Sequence, residues 1–397
     1  MPTVPQFSET AQPTPSTPAV TICRTCIMDT TDPAIAFHEE GTCSHCRPAM
    51  AMIKELTDTL PQRSLIWERT VEEIKKAGKG KDFDCIMGVS GGVDSSYAVM
   101  IAKEAGLRPI AVHLDNGWNS ELAVANIKNL LNSLKVPLVT EVLNWEVFRK
   151  LQLAFLHSST PDSEAPTDHA ITATLYRYAK KFGTKYSISG VNPYTESIGV
   201  AGWSDGHGDW RYISQIYQKF TGERLKDYVH LNAAQMIAFG AGLGFKNVKP
   251  FFLIPFSKES VQTRMETEFG WRSYGGKHYE NVYTKFFQGY ILPVKFGFDK
   301  RRAHLSSLIC AGQISRETAL SIIAEPAIPP EELTRDYAFV CKKLGISVEE
   351  MQAIMLAPPK CYRDYPNNEW LVRLPHRLGK TKLRRLWSSL VRLPRSV

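Results

Sequence analysis

Between Cys85 and Tyr97 an apolar run breaks at Ser90-Gly91-Gly92-Val93-Asp94-Ser95-Ser96 and continues with helical character. A strand, a double-glycine turn and a helix in that order constrain the fold more than any other stretch of the chain. Adjacent glycines let backbone amides turn toward one point with no Cβ in the way. The Ser and Asp residues at the start of the helix add hydroxyl groups beside the positive end of its dipole. Such a hollow suits a phosphate chain. No Lys follows the glycines, so this is not the G-x-x-x-x-G-K-[ST] loop. Nor is it G-x-G-x-x-G, since Ser90 occupies the second glycine position of a register begun at Gly88. An ordinary glycine-rich turn is the alternative, and the apolar strand before the loop and helix after it weigh against that.

Alternation continues beyond the loop. Strands are expected at 83–89, 109–114, 137–142 and 186–189, with helices near 95–105, 120–134, 145–157 and 167–182, which predicts parallel β-α-β units. Three loops leave strand ends: Ser90–Ser96, Asp115-Asn116-Gly117, and Gly190 through Ser197. In an open α/β sheet, ligands bind beyond those ends. The expected organisation is a disordered Pro/Thr/Ser-rich stretch at 1–20, a cysteine module at 21–50, a helical linker at 51–81, and a nucleotide-binding α/β domain at 82–254. A mainly helical substrate or partner domain at 255–360 and a basic tail at 361–397 complete it. Gly240-Ala-Gly-Leu-Gly244 follows a helical pattern, so it is expected to be a helix end and turn rather than a nucleotide fingerprint. The Gly-rich loop at 200–210, with two tryptophans, suits either function or plain surface.

Cys23-x2-Cys26 and Cys43-x2-Cys46, sixteen residues apart, match the spacing of a tetrahedral zinc site. Four thiolates leave no open position, so the metal is expected to be structural. His38 and His45 are expected to be ordinary, non-coordinating residues, and Cys85 a small core residue. Eight cysteines in a chain of 397 residues, without a basic, apolar start resembling a secretory signal, do not suggest a disulfide scaffold. No apolar run is long enough to span a bilayer, and a cytoplasmic location is expected. The net charge of +8 belongs to one tail. Beyond Glu369 there are eight Lys and Arg and no acid, and the rest of the chain carries 40 charges of each sign. A balanced body argues against nucleic-acid binding.

Carboxylates near the loops suggest a second metal. Asp94 and Glu196 together would suit Mg²⁺, which binds through one or two carboxylates plus phosphate oxygens. A helix cap for Asp94 and a surface acid for Glu196 are the plainer alternatives. Further on, Lys277, His278 and Glu280 follow a Gly-Gly hinge, and Lys300, Arg301, Arg302 and His304 crowd five positions. Such a cationic cluster suits a diphosphate, or else a solvated helix face.

The loop resembles the SGGxDS motif of the ATP pyrophosphatase (PP-loop) superfamily. With the CxxC pair before it, and LDNGWNSELA, SGVNPYTES, GGKHYENVYTKFFQ and FDKRRAHLSSLI after it, the chain from about residue 21 to 345 resembles the N-acetyl sugar amidotransferase family of lipopolysaccharide O-antigen synthesis. The resemblance implies conversion of an N-acetyl group on a nucleotide-activated sugar into an acetamidino group. It implies attack of the acetamido oxygen on the α-phosphate of ATP, loss of pyrophosphate, addition of ammonia and release of AMP. In that picture Val89, Ser90, Gly91, Gly92, Val93, Asp94, Ser95 and Ser96, with Gly190, hold the pyrophosphate side of ATP. Asp115 and Asn116 would meet ribose or base, with an Asx turn as the plain alternative. Asp94 and Glu196 would hold Mg²⁺, and Lys277, His278, Glu280, Arg301 and Arg302 would orient substrate or stabilise developing charge.

The chain offers neither a G-x-C-x-G elbow nor a cysteine at its start, so a separate glutaminase and a cyclase-like, ammonia-supplying subunit are the implied partners. A tRNA-modifying adenylase of the thiolation type is the alternative reading. It wants three further clustered cysteines, which Cys85, Cys310, Cys341 and Cys361 do not provide. The tail's mixture of cationic and apolar residues suits peripheral contact with an acidic membrane surface, docking on a partner, or disorder.

Overall fold

A computed structural model describes residues 20–240, 244–277 and 279–370. The chain forms two compact units that do not follow chain order. Residues 56–192, 201–281 and 359–370 make the sheet unit, and 20–55, 193–200 and 282–358 make the other. The first twenty residues (apart from residue 20) and the tail beyond 370 lie outside the described residues, as do 241–243 within the predicted glycine-rich turn.

Five parallel strands form the sheet in the order β3-β2-β1-β4-β5. They are β1 Cys85–Gly88, β2 Pro109–Asp115, β3 Leu138–Val142, β4 Tyr186–Ile188 and β5 Lys246–Val248. The register pairs Ile86 with Ile110 on one side and with Ser187 on the other. Cys85, Ile86 and Met87 of β1 and the first five residues of β2 are buried, as strands covered on both faces require. β3, at the edge, alternates exposed and half-buried positions instead. Ile86, Ile110, Val112, Ala179 and Phe245 form a core cluster, with Leu175, Tyr178 and Phe182 of the helix Ala165–Phe182 packed against it.

The parallel α/β class, the cysteine cluster near the start and the helical C-terminal region are as the sequence predicts. The predicted helices are found at Val93–Glu104, Glu121–Leu134, Trp145–Ser158 and Ala165–Phe182. Ser120 and Asn144 cap two of them by accepting hydrogen bonds from backbone amides of their first turns. β5 was not expected. Three residues show no period, and its pairing with β4 alone defines it.

The order places the switch point at β1, since the chain leaves it toward β2 and later returns on its other flank as β4. Ligand crevices of doubly wound sheets open there. The helix Lys258–Phe269 packs against Val93–Glu104 and Glu121–Leu134, which draws residues 255–281 into the sheet unit rather than the helical one.

In the other unit the cysteine module meets helices Arg301–Cys310 and Arg316–Ala324. Ile27, Leu305, Leu308 and Ala319 share one apolar cluster. A π-helix spans Phe287–Phe296 with Pro293 inside it. The chain then returns to the sheet unit. Lys360 donates its amide to the Ser159 carbonyl, the Tyr365 hydroxyl donates to Ser158, and Asp209 accepts from the Tyr362 hydroxyl and the Asn368 amide.

Candidate functional site

β1 delivers the double-glycine loop to the switch point. Gly91 has φ +90°, a conformation that a side chain would strain, and Gly92 stands at the N-cap of the helix Val93–Glu104. Inside the loop the Gly92 amide donates to Ser90 Oγ (3.2 Å), the Ser90 amide to Ser95 Oγ (3.4 Å), and Ser95 Oγ to the Gly92 carbonyl (3.1 Å). Amides and hydroxyls thus converge at a helix N-terminus, the arrangement that binds anions. Ser90 is exposed, while Ser96 is buried and turns its amide to the Gly92 carbonyl. His113 on β2 holds the base of the loop: its Nδ1 is 2.8 Å from the Val89 carbonyl, and its Nε2 is 2.9 Å from Asn119 Nδ2. These partners assign the proton to Nδ1. Gly190, at the end of β4, lies so close that a Cβ there would stand 2.8 Å from the Ser95 nitrogen.

Around the loop, charged groups alternate in sign. Asp94 accepts from the buried Asn192 Nδ2 at 2.8 Å, and Lys277 Nζ lies 3.7 Å from its other oxygen. Desolvation, and then the neighbouring Lys277 charge, hold the Lys258 ammonium below the usual lysine range, with Asp94 opposing them. Burial pushes the Glu280 carboxyl above the ordinary range, opposed by its own backbone amide, the Ser90 hydroxyl and Lys277. Glu280 Oε1 would lie 3.0 Å from a Cβ at Gly92, so this carboxyl sits against the loop itself. Sequence reasoning singles out neither Asn192 nor Lys258: Asn192 stands two residues past Gly190 within the third strand-end loop but in no motif of its own, and Lys258 opens a helix with no motif.

The remaining predicted residues divide. Asp115 accepts from the Gly117 amide (2.8 Å) and Asn116 from the Trp118 amide (3.1 Å), both Asx turns. Asn116 also accepts from Asn281 Nδ2 at 3.3 Å, which ties the second strand's loop to the segment bearing Glu280. His278 lies outside the described residues. Glu196, at the end of the short helix Pro193–Glu196, lies in the other unit, as do Arg301 and Arg302 at the start of the helix Arg301–Cys310. Arg301 is held by Asp299 (2.7 Å) and by carbonyls at the end of the helix Arg316–Ala324. Arg302 pairs with the buried Asp29 at 2.9 Å and donates to the Ile27 carbonyl. Both guanidinium groups are thus engaged within that unit.

Among the described residues one cluster can hold a metal: Cys23, Cys26, Cys43 and Cys46, all buried, with their sulfurs within 4.8 Å of one another. Cys23 and Cys46 Sγ are 3.7 Å apart, and Cys26 and Cys43 Sγ 3.6 Å. A tetrahedron with metal–sulfur bonds of about 2.3 Å has edges of about 3.8 Å. The four thiols therefore fit a single ion. Hydrogen bonds from neighbouring thiols favour the Cys43 thiolate. Backbone amides of Cys26, Met28 and Cys46 point at cluster sulfurs, and Arg316 donates to the Cys23 and Cys26 carbonyls. His45 is paired with Asp32 at 2.6 Å and takes no place in the cluster.

Residues 280–378 match the C-terminal domain family of WbpG-like lipopolysaccharide biosynthesis proteins. No curated protein matches the chain. Among solved structures, the chain is similar to an NMN synthetase from Francisella tularensis (15% identity, 56% of this chain and 71% of that one, TM-score 0.28). It is also similar to the U34-tRNA thiolase NcsA from Methanococcus maripaludis with its [4Fe-4S] cluster (16%, 76% and 88%, TM-score 0.31). A third is a glutamine-dependent NAD+ synthetase from Acinetobacter baumannii in complex with ADP (18%, 64% and 41%, TM-score 0.28).

Proposed function

We propose that the protein is an ATP-dependent amidotransferase of surface-polysaccharide synthesis, converting the N-acetyl group of a nucleotide-activated sugar into an acetamidino group with release of AMP and pyrophosphate. The observation that carries this reading is the anion-binding loop at the switch point, ringed by Asp94, Lys258, Lys277 and Glu280. The match of residues 280–378 to a lipopolysaccharide-synthesis family supports the pathway.

The chemistry follows from what an amide needs. Its oxygen is a poor leaving group, so it must first be activated. The acetamido oxygen forms a bond to the α-phosphorus of ATP as the bond to the β-phosphate oxygen breaks, and pyrophosphate departs into the loop. Amides at the helix start, with Lys258 and Lys277, neutralise the charge that gathers there. Asp94 would hold a Mg²⁺ through its carboxylate, and the ion would help neutralise the phosphate charge. Ammonia then adds to the adenylated carbon, a proton leaves the new nitrogen, and AMP departs as the amidine forms. Glu280, whose burial raises its proton affinity above that of an exposed carboxylate, is suited in its ionised form to take that proton.

The four-cysteine site is proposed to hold one structural zinc ion, since four thiolates about a single centre leave no open position. Ammonia is proposed to come from a separate glutaminase working with a cyclase-like subunit. Incubation with ATP, ammonia and a panel of nucleotide-linked N-acetyl sugars, read by mass spectrometry, tests the function. A product in which one oxygen is replaced by an imino group is expected. Turnover of none of these sugars, with tRNA accepted instead, would overturn it.

A further inference from the structure

Gly91 and Gly92 can each adopt conformations closed to other residues, so the peptide between them has little reason of its own to face one way. Its orientation matters. In a trans peptide the carbonyl and the N–H point in opposite directions. If the Gly91 carbonyl turned inward, its partial negative charge would face the anion, and the Gly92 amide would turn away from Ser90 Oγ.

Two side chains from a single segment decide the direction. Trp271 Nε1 donates to the Gly91 carbonyl at 2.9 Å, and the Tyr274 hydroxyl donates to the same oxygen at 2.9 Å. Trp271 is buried and meets Tyr274 edge to face at 5.7 Å between ring centres. The pair is braced from behind by Asn126, which is fully buried on the helix Glu121–Leu134. Asn126 Nδ2 contacts the Tyr274 hydroxyl at 2.8 Å and the Arg272 carbonyl at 2.9 Å, and its Oδ1 accepts from the Arg272 amide at 3.0 Å. Burial raises the Tyr274 phenol, so it stays a donor through the neutral range. With the carbonyl drawn toward the segment, the Gly92 amide is left on the Ser90 side of the loop, where it donates to Ser90 Oγ at 3.2 Å and fixes that hydroxyl.

We infer that Trp271 and Tyr274 are positioning residues of the phosphate loop: they hold the Gly91 carbonyl away from the bound pyrophosphate group and leave the Gly92 amide to orient the Ser90 hydroxyl toward it. This rests on the reading that the loop binds ATP. Neither residue touches the nucleotide in this account. The same segment carries Lys277 and Glu280, so one strap sets the loop's backbone and presents the charged groups beside it.

The test uses the full chain with Trp271→Phe, Tyr274→Phe and the double variant, each keeping an aromatic ring while deleting one or both donors. Calorimetry with ATP, inorganic pyrophosphate and adenosine separates the contributions. Each single change is expected to weaken ATP and pyrophosphate by about threefold to tenfold, the worth of one hydrogen bond, with the double variant weaker still. Adenosine affinity should stay at the wild-type value, and in turnover KM for ATP should rise more than kcat falls. Unchanged ATP and pyrophosphate affinity in the double variant would overturn the inference, and so would a parallel loss of adenosine binding, which marks a merely structural role. A wild-type protein that binds neither ATP nor pyrophosphate would overturn the nucleotide reading together with it, whereas wild-type binding matched by the variants would remove the positioning role alone.

Discussion

Replacing Gly190 by Ala probes the loop through backbone geometry alone. The added methyl would stand 2.8 Å from the Ser95 nitrogen, 2.9 Å from its Cα and 3.0 Å from the Asp94 carbonyl carbon. All three are backbone atoms of the first helical turn, so no side chain can swing aside. Restoring an ordinary contact of 3.4 Å from 2.8 Å moves that turn by about 0.6 Å, and misplacement by 1 Å can cost about a hundredfold in rate. A loss of about tenfold in kcat/KM for ATP is therefore expected. Overpacking of this kind costs about 1–3 kcal/mol, which lowers the melting temperature by about 2–12 °C for a unit of this size. Scanning calorimetry and a pyrophosphate-release assay measure both. Gly199 is the control: its φ lies outside the left-handed region and a Cβ there meets nothing within 4 Å, so Gly199→Ala should match the wild type. Gly190→Ala with wild-type melting and ATP kinetics would refute the close approach and the role it gives this strand end.

Three further outcomes follow from the charged and metal-binding groups. The folded state raises the Glu280 carboxyl above its unfolded value, so it binds the proton more tightly and loses stability as pH rises through that window. Glu280→Gln should therefore melt higher than wild type at pH 7, lose that advantage near pH 4, and turn over more slowly; thermal melts across pH check the sign. Arg302→Met strips the partner from the buried Asp29 and should cost about 3–5 kcal/mol in the metal-bearing unit, yet leave ATP affinity unchanged by calorimetry. Metal analysis should find one zinc per chain, and Cys26→Ser or strong chelation should remove it and lower the melting transition of the same unit.

What was legible in the sequence was local. The Ser-Gly-Gly loop between a strand and a helix, and the paired Cys-x2-Cys spacings, each state their geometry within a few residues. The contacts that complete both sites are long-range. Trp271 reaches Gly91 across 180 positions, Asn192 reaches Asp94 across 98, and Arg316 reaches Cys26 across 290. No periodicity announces such pairs. The crowding of Lys300, Arg301, Arg302 and His304 is plain in the sequence, but the partners it finds are not: Arg301 pairs with Asp299 and Arg302 with the distant Asp29. Nor does chain order reveal that residues 255–281 join the sheet while 20–55 join the C-terminal helices. No helix among the described residues is long and apolar enough to cross a membrane.

The central claim is that a sugar amide oxygen attacks the α-phosphorus while the loop takes the departing diphosphate. A nucleotide-linked sugar whose acetamido group carries ¹⁸O, turned over with ATP and ammonia, follows that oxygen directly. The heavy isotope is expected in AMP, one atom per amidine formed. Its appearance in inorganic phosphate alongside ADP would rule out adenylation of the sugar amide.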